Sequence, residues 1–520
     1  MIGLIICLSL AFIYQIFHFN KRRKYPSGPL PFPAVGNLPL LGNTLQSHID
    51  SVAQYSQKYG GVFTLWVPDP VVVVTDYALM QELLVNRDSD LELKPSSFTN
   101  RTFHNTIQTD SEYNRTTIDK VAAVVDHFFT KVSRHEIDIL IDNQATGIDQ
   151  LITNSLQKDI SGETAMFRLE NLSYATAKFW SELLWSGSSN RFGQAELTEM
   201  VQLFQTRLVL DSDRKSMMLD EYNYLRFAPI WGNFKHKTYR KIGARLRDLI
   251  LPEVQRRQYL MHDGADLGHD LVSEYFRAFR GSDKEEQDSV TRNHEFLCLL
   301  VDLFGFGVNS VAVTLQWAVL HMCLYPEIQD RVYSELQMAN NNDIFVADCD
   351  PIGDLVHTPI PYTCAVLAEV QRCKHTRAHA SQHSYRATGD VKLTKKTKIR
   401  KDMVIYPCYT AMGLNEQDFP QPLDFYPSRF LSKSGTDLRM SLINKATVTR
   451  LGPSSIGPVN NTESLQSYVT LKVFTHLMSL FKFELDPATS GVVKEKKILK
   501  SSDRNAIFPR DWLLRVSKRH

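Results

Sequence analysis

The chain has 520 residues, of which 43% are hydrophobic and 22% charged, and its formal net charge is +2. That composition excludes a disordered chain, and the near-neutral charge implies no nucleic-acid partner. Seven cysteines at irregular spacing make no disulfide framework, and no second pair accompanies Cys364 and Cys373 to build a zinc site. Buried free thiols are expected instead.

Residues 1–19 form an apolar run, weakened by Ser9, Tyr14, Gln15 and His18, and Lys21-Arg22-Arg23-Lys24 follows it. A membrane span needs roughly 20 residues. A cleaved leader carries its positive charge before the apolar stretch and a small-residue site after it. Here the charge comes after, which holds that side in the cytosol. The expectation is a transmembrane signal anchor over 1–20, with a cleaved or interfacial segment as the alternative. The sequons at Asn100, Asn114, Asn171 and Asn460 would then face the cytosol, away from glycosylation.

Residues 21–34 are basic and then Pro-rich, which predicts a stiff hinge. No linker or repeat divides the remainder, so 35–520 is expected to be one domain. Residues 62–67 and 71–74 flank Pro68-Asp69-Pro70 and predict a hairpin. Amphipathic helical patterns follow near 115–140, 165–210 and 240–260. The strongest helix spans about 296–324 and is apolar nearly all round, which marks a core helix or a membrane span. Asp302, Asn309 and Gln316 interrupt it at seven-residue intervals; Asp302 would be costly in lipid, favouring the core. Gly305 and Gly307 would let another group approach its backbone closely. Short strands are expected at 391–393, 398–400 and 403–406, and a last helix over about 463–481. The fold class is mainly α with small peripheral sheets.

Glu369-Val370-Gln371-Arg372 places an acid and a base three apart on one helix face. Leu324-Tyr325-Pro326-Glu327 precedes it, and Phe425-Tyr426-Pro427-Ser428-Arg429-Phe430 follows it. With the anchor and the long helix, these landmarks in this order resemble the cytochrome P450 family, most of all its microsomal branch. The resemblance covers nearly the whole chain. It implies the cytochrome P450 fold, haem as cofactor, an NADPH-dependent reductase as partner and small lipophilic substrates. It also implies an endoplasmic reticulum membrane location with the body facing the cytosol. Glu369, Arg372 and Arg429 would form the family's structural ion network. In the family a Cys thiolate holds the iron and promotes O–O cleavage.

The chemistry-bearing positions depart from that pattern. No cysteine occurs after Cys408. Aligning Glu463-Ser464-Leu465 with the start of the last helix puts Asn460 at the proximal-ligand position, in a loop one residue short. An Asn amide carries no negative charge to push toward iron. In the long helix, Phe306-Gly307-Val308-Asn309-Ser310 occupies the oxygen-activation position. Asn309 stands where the family has an acid and cannot relay a proton by ionising. Ser310 stands for the Thr and keeps a hydroxyl. Arg115 and His383 align with haem-propionate contacts, while Asn114 replaces the expected Trp. No metal ligand set is expected, and haem binding is in doubt.

Three functions follow as expectations. The first is a membrane-anchored cytochrome P450-like protein with lost or impaired monooxygenase activity. The second is a working haem monooxygenase of xenobiotics, steroids or fatty acids. The third is a haem-free lipid-binding protein.

Overall fold

The computed structural model describes residues 19, 21–32, 35–41, 45–67, 69–86, 90–93, 102–104, 115–132, 134–156, 164–186, 192–211, 232–263, 269–279, 286–341, 358–374, 384–393, 397–447, 457–486 and 512–519. The expected anchor therefore lies outside the described residues, apart from Phe19.

The N-terminal part holds α1 (Leu45–Tyr59), the strands β1 (Val62–Val67) and β2 (Asp69–Val74), α2 (Tyr77–Gln81) and β3 (Leu91–Leu93). The hairpin forms, with Val62 opposite Val74 and Val67 opposite Asp69, so Asp69 and Pro70, expected in the turn, belong to β2. Its β-branched residues are almost wholly buried, which suits a pleated packed surface.

The helical body follows with α3 (Arg115–Lys131), α4 (Arg134–Leu156), β4 (Thr164–Arg168), α5 (Glu170–Ser181), α6 (Gln194–Asp211), α7 (Gly232–His262) and α8 (Leu271–Ala278). The helical reading of 165–210 thus begins with a strand. β4 alternates buried and exposed residues and pairs with a strand some 345 residues later, so its local pattern gave way to a distant partner.

The central helix α9 (Glu286–Leu324) is followed by α10 (Pro326–Asn341) and α11 (Pro361–Lys374). Four short strands come next: β5 (Tyr385–Ala387), β6 (Val391–Lys392), β7 (Lys398–Ile399) and β8 (Val404–Pro407). The chain ends with α12 (Tyr409–Gly413), α13 (Met440–Thr447), α14 (Gly457–Leu480), β9 (Phe481–Leu485) and β10 (Leu513–Lys518).

The described strands form sheets in the orders β1-β2-β8-β5-β3, β4-β10-β9 and β6-β7. β2 and β8 run parallel. The main hydrophobic core runs along α9, which packs against α3, α5, α6, α11 and α14. Among the described residues, Glu295–Leu324 is the one segment long and apolar enough to cross a membrane, and it is mostly buried within the protein. Burial by neighbouring helices is what a core helix requires.

The last helix starts at Gly457, six residues before the expected Glu463. Pro458 is its second residue. Proline fits a first helical turn because its missing N–H would be unpaired there anyway. Asn460 therefore lies inside α14 and not in a loop before it.

Candidate functional site

From Phe296 to Cys323, every residue of α9 is buried except Leu299, Asp302 and Phe306, which are half-exposed. Steps of three and four put these three on one helix face. Along about 10 Å of α9, then, one face lacks close packing. This face borders Asn309 and Ser310.

The opposite sides of α9 are closed by aromatic rings. A Cβ on Gly305 would lie 2.3 Å from Phe204 of α6, and one on Gly307 would lie 2.3 Å from Trp180 of α5. The two glycines do admit a close approach, and protein side chains occupy it. Trp180 is fully buried, so its ring has no room to retreat. Gln316 is used differently again: its amide donates to Leu169 O at 3.1 Å and to Ser173 Oγ at 2.9 Å.

Ser310 and Asn309 are both buried, at 2% and 7% exposure. The Ser310 hydroxyl donates to Gln466 Oε1 of α14 at 2.7 Å. Thr314 Oγ1 donates to the Ser310 carbonyl at 2.7 Å, and Thr470 Oγ1 to the Gln466 carbonyl at 2.6 Å. Gln466 Nε2 is buried with no hydrogen-bond partner among the described residues. α9 and α14 are thus tied directly through Ser310 and Gln466.

One end of the open face is charged. His104 Nε2 lies 2.8 Å from Asp302 Oδ2, and Arg207 of α6 donates to Asp302 Oδ1 at 3.1 Å. Arg207 Nε lies 3.6 Å from Asp211 Oδ2, and the Tyr239 hydroxyl of α7 donates to Asp211 Oδ1 at 2.7 Å. The guanidinium also stacks 3.8 Å from the centre of the Phe103 ring. Burial pushes the Asp302 carboxyl up, but His104 and then Arg207 outweigh it and hold the group below its ordinary value. In Asp211 burial prevails over Arg207 and Tyr239, and its carboxyl is raised. Sequence reasoning noted Asp302 but missed its partners, which lie 198 and 95 residues away along the chain.

Behind the core, Arg372 grips Glu369 with two parallel bonds, Nε to Oε2 at 2.7 Å and Nη2 to Oε1 at 2.9 Å. Both side chains are fully buried. Arg429 Nε adds a bond to Glu369 Oε1 at 3.2 Å, and the Tyr426 amide donates to the same oxygen at 2.8 Å. The remaining guanidinium hydrogens bind chain carbonyls: Arg372 those of Gly413, Pro422 and Asp424, and Arg429 those of Pro420, Gln421 and Asp424. One carboxylate and two arginines therefore clasp the 413–430 segment against α11.

Arg115 opens α3 and Asn460 sits in the first turn of α14, but both side chains lie outside the described residues, as does all of His383. Among the described residues the free thiols are elsewhere: Cys298 and Cys323 on α9, Cys364 and Cys373 on α11, and Cys408 before α12. Burial pushes the Cys408 thiol up to about 11 and raises those of Cys298 and Cys323 further still. Buried thiols of this kind stay protonated and are poor iron ligands. Among the described residues, no group of three His, Cys, Asp or Glu side chains could hold a metal ion.

Comparison with known proteins gives a consistent picture. The sequence profile described as "Cytochrome P450" matches residues 26–448. A Caenorhabditis elegans protein described as "Probable cytochrome P450 CYP36A1" is 22% identical, covering 99% of both chains. The "3-ketosteroid oxygenase" of the same organism is 23% identical over 93% of this chain and 79% of its own. "Cytochrome P450 2D16" of Cavia porcellus is 24% identical over 91% of this chain and 90% of its own.

Proposed function

The chain belongs to the cytochrome P450 family, and from that premise we propose that it is a membrane-anchored member that has lost haem-thiolate monooxygenase activity. It keeps the family's body as a binding or scaffolding protein. Membership implies haem, a redox-partner reductase and lipophilic substrates. The donor set in this chain does not fit a thiolate-held haem.

The observation that carries the reading is that residues 409–520 contain no cysteine. The family's electron push to oxygen needs an anionic sulfur, and Asn460 at the aligned position is uncharged. Three further observations support it. The family match ends at residue 448, before this position. The backbone at Asn460 is already helical. The Ser310 hydroxyl is spent on Gln466, and Asn309 cannot ionise.

A second reading within this one is a haem-free binder of small lipophilic molecules, favoured by the half-exposed face of α9. Membership alone supports the opposite alternative, a working monooxygenase with haem held some other way. Location in the endoplasmic reticulum membrane, body toward the cytosol, belongs to the same proposal and rests on the apolar run before Lys21. The deciding experiment is the ferrous carbon-monoxide difference spectrum of purified full-length protein. The expected result is no thiolate-haem band; that band at near-stoichiometric haem overturns the proposal.

A further inference from the structure

A haem iron takes its proximal ligand and its oxygen on opposite faces of one flat macrocycle. The alignment of motifs puts the proximal position at Asn460 of α14 and the oxygen side at Asn309 and Ser310 of α9. A haem held in that way would stand between these two helices. Packed carbon atoms keep about 3.5–4.0 Å apart, so side chains facing each other through a ring are separated by roughly 7 Å or more.

α9 and α14 leave no such gap at Ser310. Its hydroxyl donates to Gln466 Oε1 at 2.7 Å. Gln466 lies six residues after Asn460, about 9 Å along the helix axis, within the span of a tetrapyrrole. Both side chains are buried, as are Thr314 and Thr470 beside them. Those two threonine hydroxyls bond within their own helices. Neither helix is free to draw back. Gly305, about 140° round α9 from Ser310, already abuts the buried Phe204 ring, which leaves no room for even a Cβ. α14 is fastened to α4, where the Tyr468 hydroxyl donates to Asp138 Oδ1 at 2.6 Å and His476 Nε2 lies 2.8 Å from Asp149 Oδ2.

We propose that Gln466 closes the haem slot from within, so that this chain excludes haem whatever axial ligand is offered. This rests on the alignment behind the proposed loss of monooxygenase activity, and it deepens that reading. Loss of the sulfur removes the electron push; closure of the slot removes the cofactor. The Gln466 side chain reaches across to α9, and its Oε1 is held there by Ser310. A ring entering the slot would have to break that bond and leave two buried polar groups unpaired, beside an Nε2 that already lacks a partner among the described residues.

The test supplies the ligand that the chain lacks. Ferric haem is titrated into purified full-length protein in excess imidazole, a neutral nitrogen donor for iron. Soret absorbance and quenching of tryptophan fluorescence follow uptake. No saturable one-to-one uptake is expected. Gln466→Ala removes the bulk that fills the slot and should take up haem at least about tenfold more tightly than the unaltered protein. Gln466→Leu keeps the bulk without the bond and should show no such gain. Thermal melts establish that each variant is folded; where Gln466→Ala is not, the titration of the unaltered protein decides. One-to-one uptake by the unaltered protein, no gain in a folded Gln466→Ala, or an equal gain in both variants overturns the inference. Each of these leaves the loss of thiolate chemistry standing. A thiolate-haem band without imidazole overturns both.

Discussion

Ser310 of α9 gives its hydroxyl hydrogen to Gln466 of α14 across 2.7 Å, and both side chains are buried. The two residues are 156 positions apart. The bond ties α9 to α14; on the proposed reading, a hydroxyl that would otherwise serve oxygen chemistry serves helix packing.

Ser310→Ala should therefore act on stability. It would leave a second Gln466 amide atom unpaired, beside the Nε2 that already lacks a partner among the described residues. Leaving a buried polar group unsatisfied costs about 1–3 kcal/mol. Urea unfolding of Ser310→Ala, Gln466→Ala and the double variant would measure the coupling. Additive effects would mean that the bond contributes nothing.

Glu369→Ala removes the acid shared by Arg372 and Arg429 and leaves a fully buried guanidinium without its countercharge. Breaking one side of a buried pair costs about 3–5 kcal/mol. The melting temperature should drop by several degrees or soluble expression should fail. An unchanged melting curve would refute the buried clasp.

Gly307→Ala puts a Cβ 2.3 Å from Trp180. Alanine favours a helix over glycine by about 1 kcal/mol, so an open site would be stabilised. Overpacking in a filled core costs about 1–3 kcal/mol or more. Net destabilisation is expected, with a shift in tryptophan fluorescence as the ring moves. A more stable variant would show that the ring yields easily.

The pH dependence of stability should carry the mark of Asp302. Its folded carboxyl is held below the ordinary value of about 3.9, so unfolding takes up a proton in acid. Its contribution is full above that value and falls away as the pH drops through and below it. Asp302→Asn should narrow the difference from the unaltered protein as pH falls from neutral toward acid. Asp211 and Asp270, whose carboxyls are raised, act in the opposite direction; Asp270 is common to both proteins, while Asp211, raised in part by Asp302, is eased in the variant as well. Parallel stability curves would remove the linkage.

Asn460→Cys should not restore monooxygenase activity. It supplies a sulfur, but inside α14, whose helix has begun at Gly457. Iron ligation tolerates departures of only about 0.2 Å, and a thiolate also needs positive or hydrogen-bonding neighbours. Phe306, Asn309 and the engaged Ser310 remain on the other side. Haem loading with NADPH-dependent turnover from this one change, in the presence of a reductase, would show the scaffold to be intact.

What the sequence determined by itself is whatever local pattern and composition can encode. Two runs rich in β-branched residues on either side of Pro68 specify the β1–β2 hairpin, and a largely apolar stretch, interrupted at Asp302, Asn309 and Gln316, specifies the buried core of α9. The spacing of Glu369 and Arg372 specifies a pair on one helix face, and the absence of cysteine after Cys408 is a fact of the sequence alone. Tertiary structure decided what depends on partners distant in the chain. β4 became a strand only by pairing with β10. Asp302, legible only as an acid in an apolar helix, acquired its role from His104 and Arg207. Contacts between such distant residues leave no periodicity to read, since only the packing of helices brings them together.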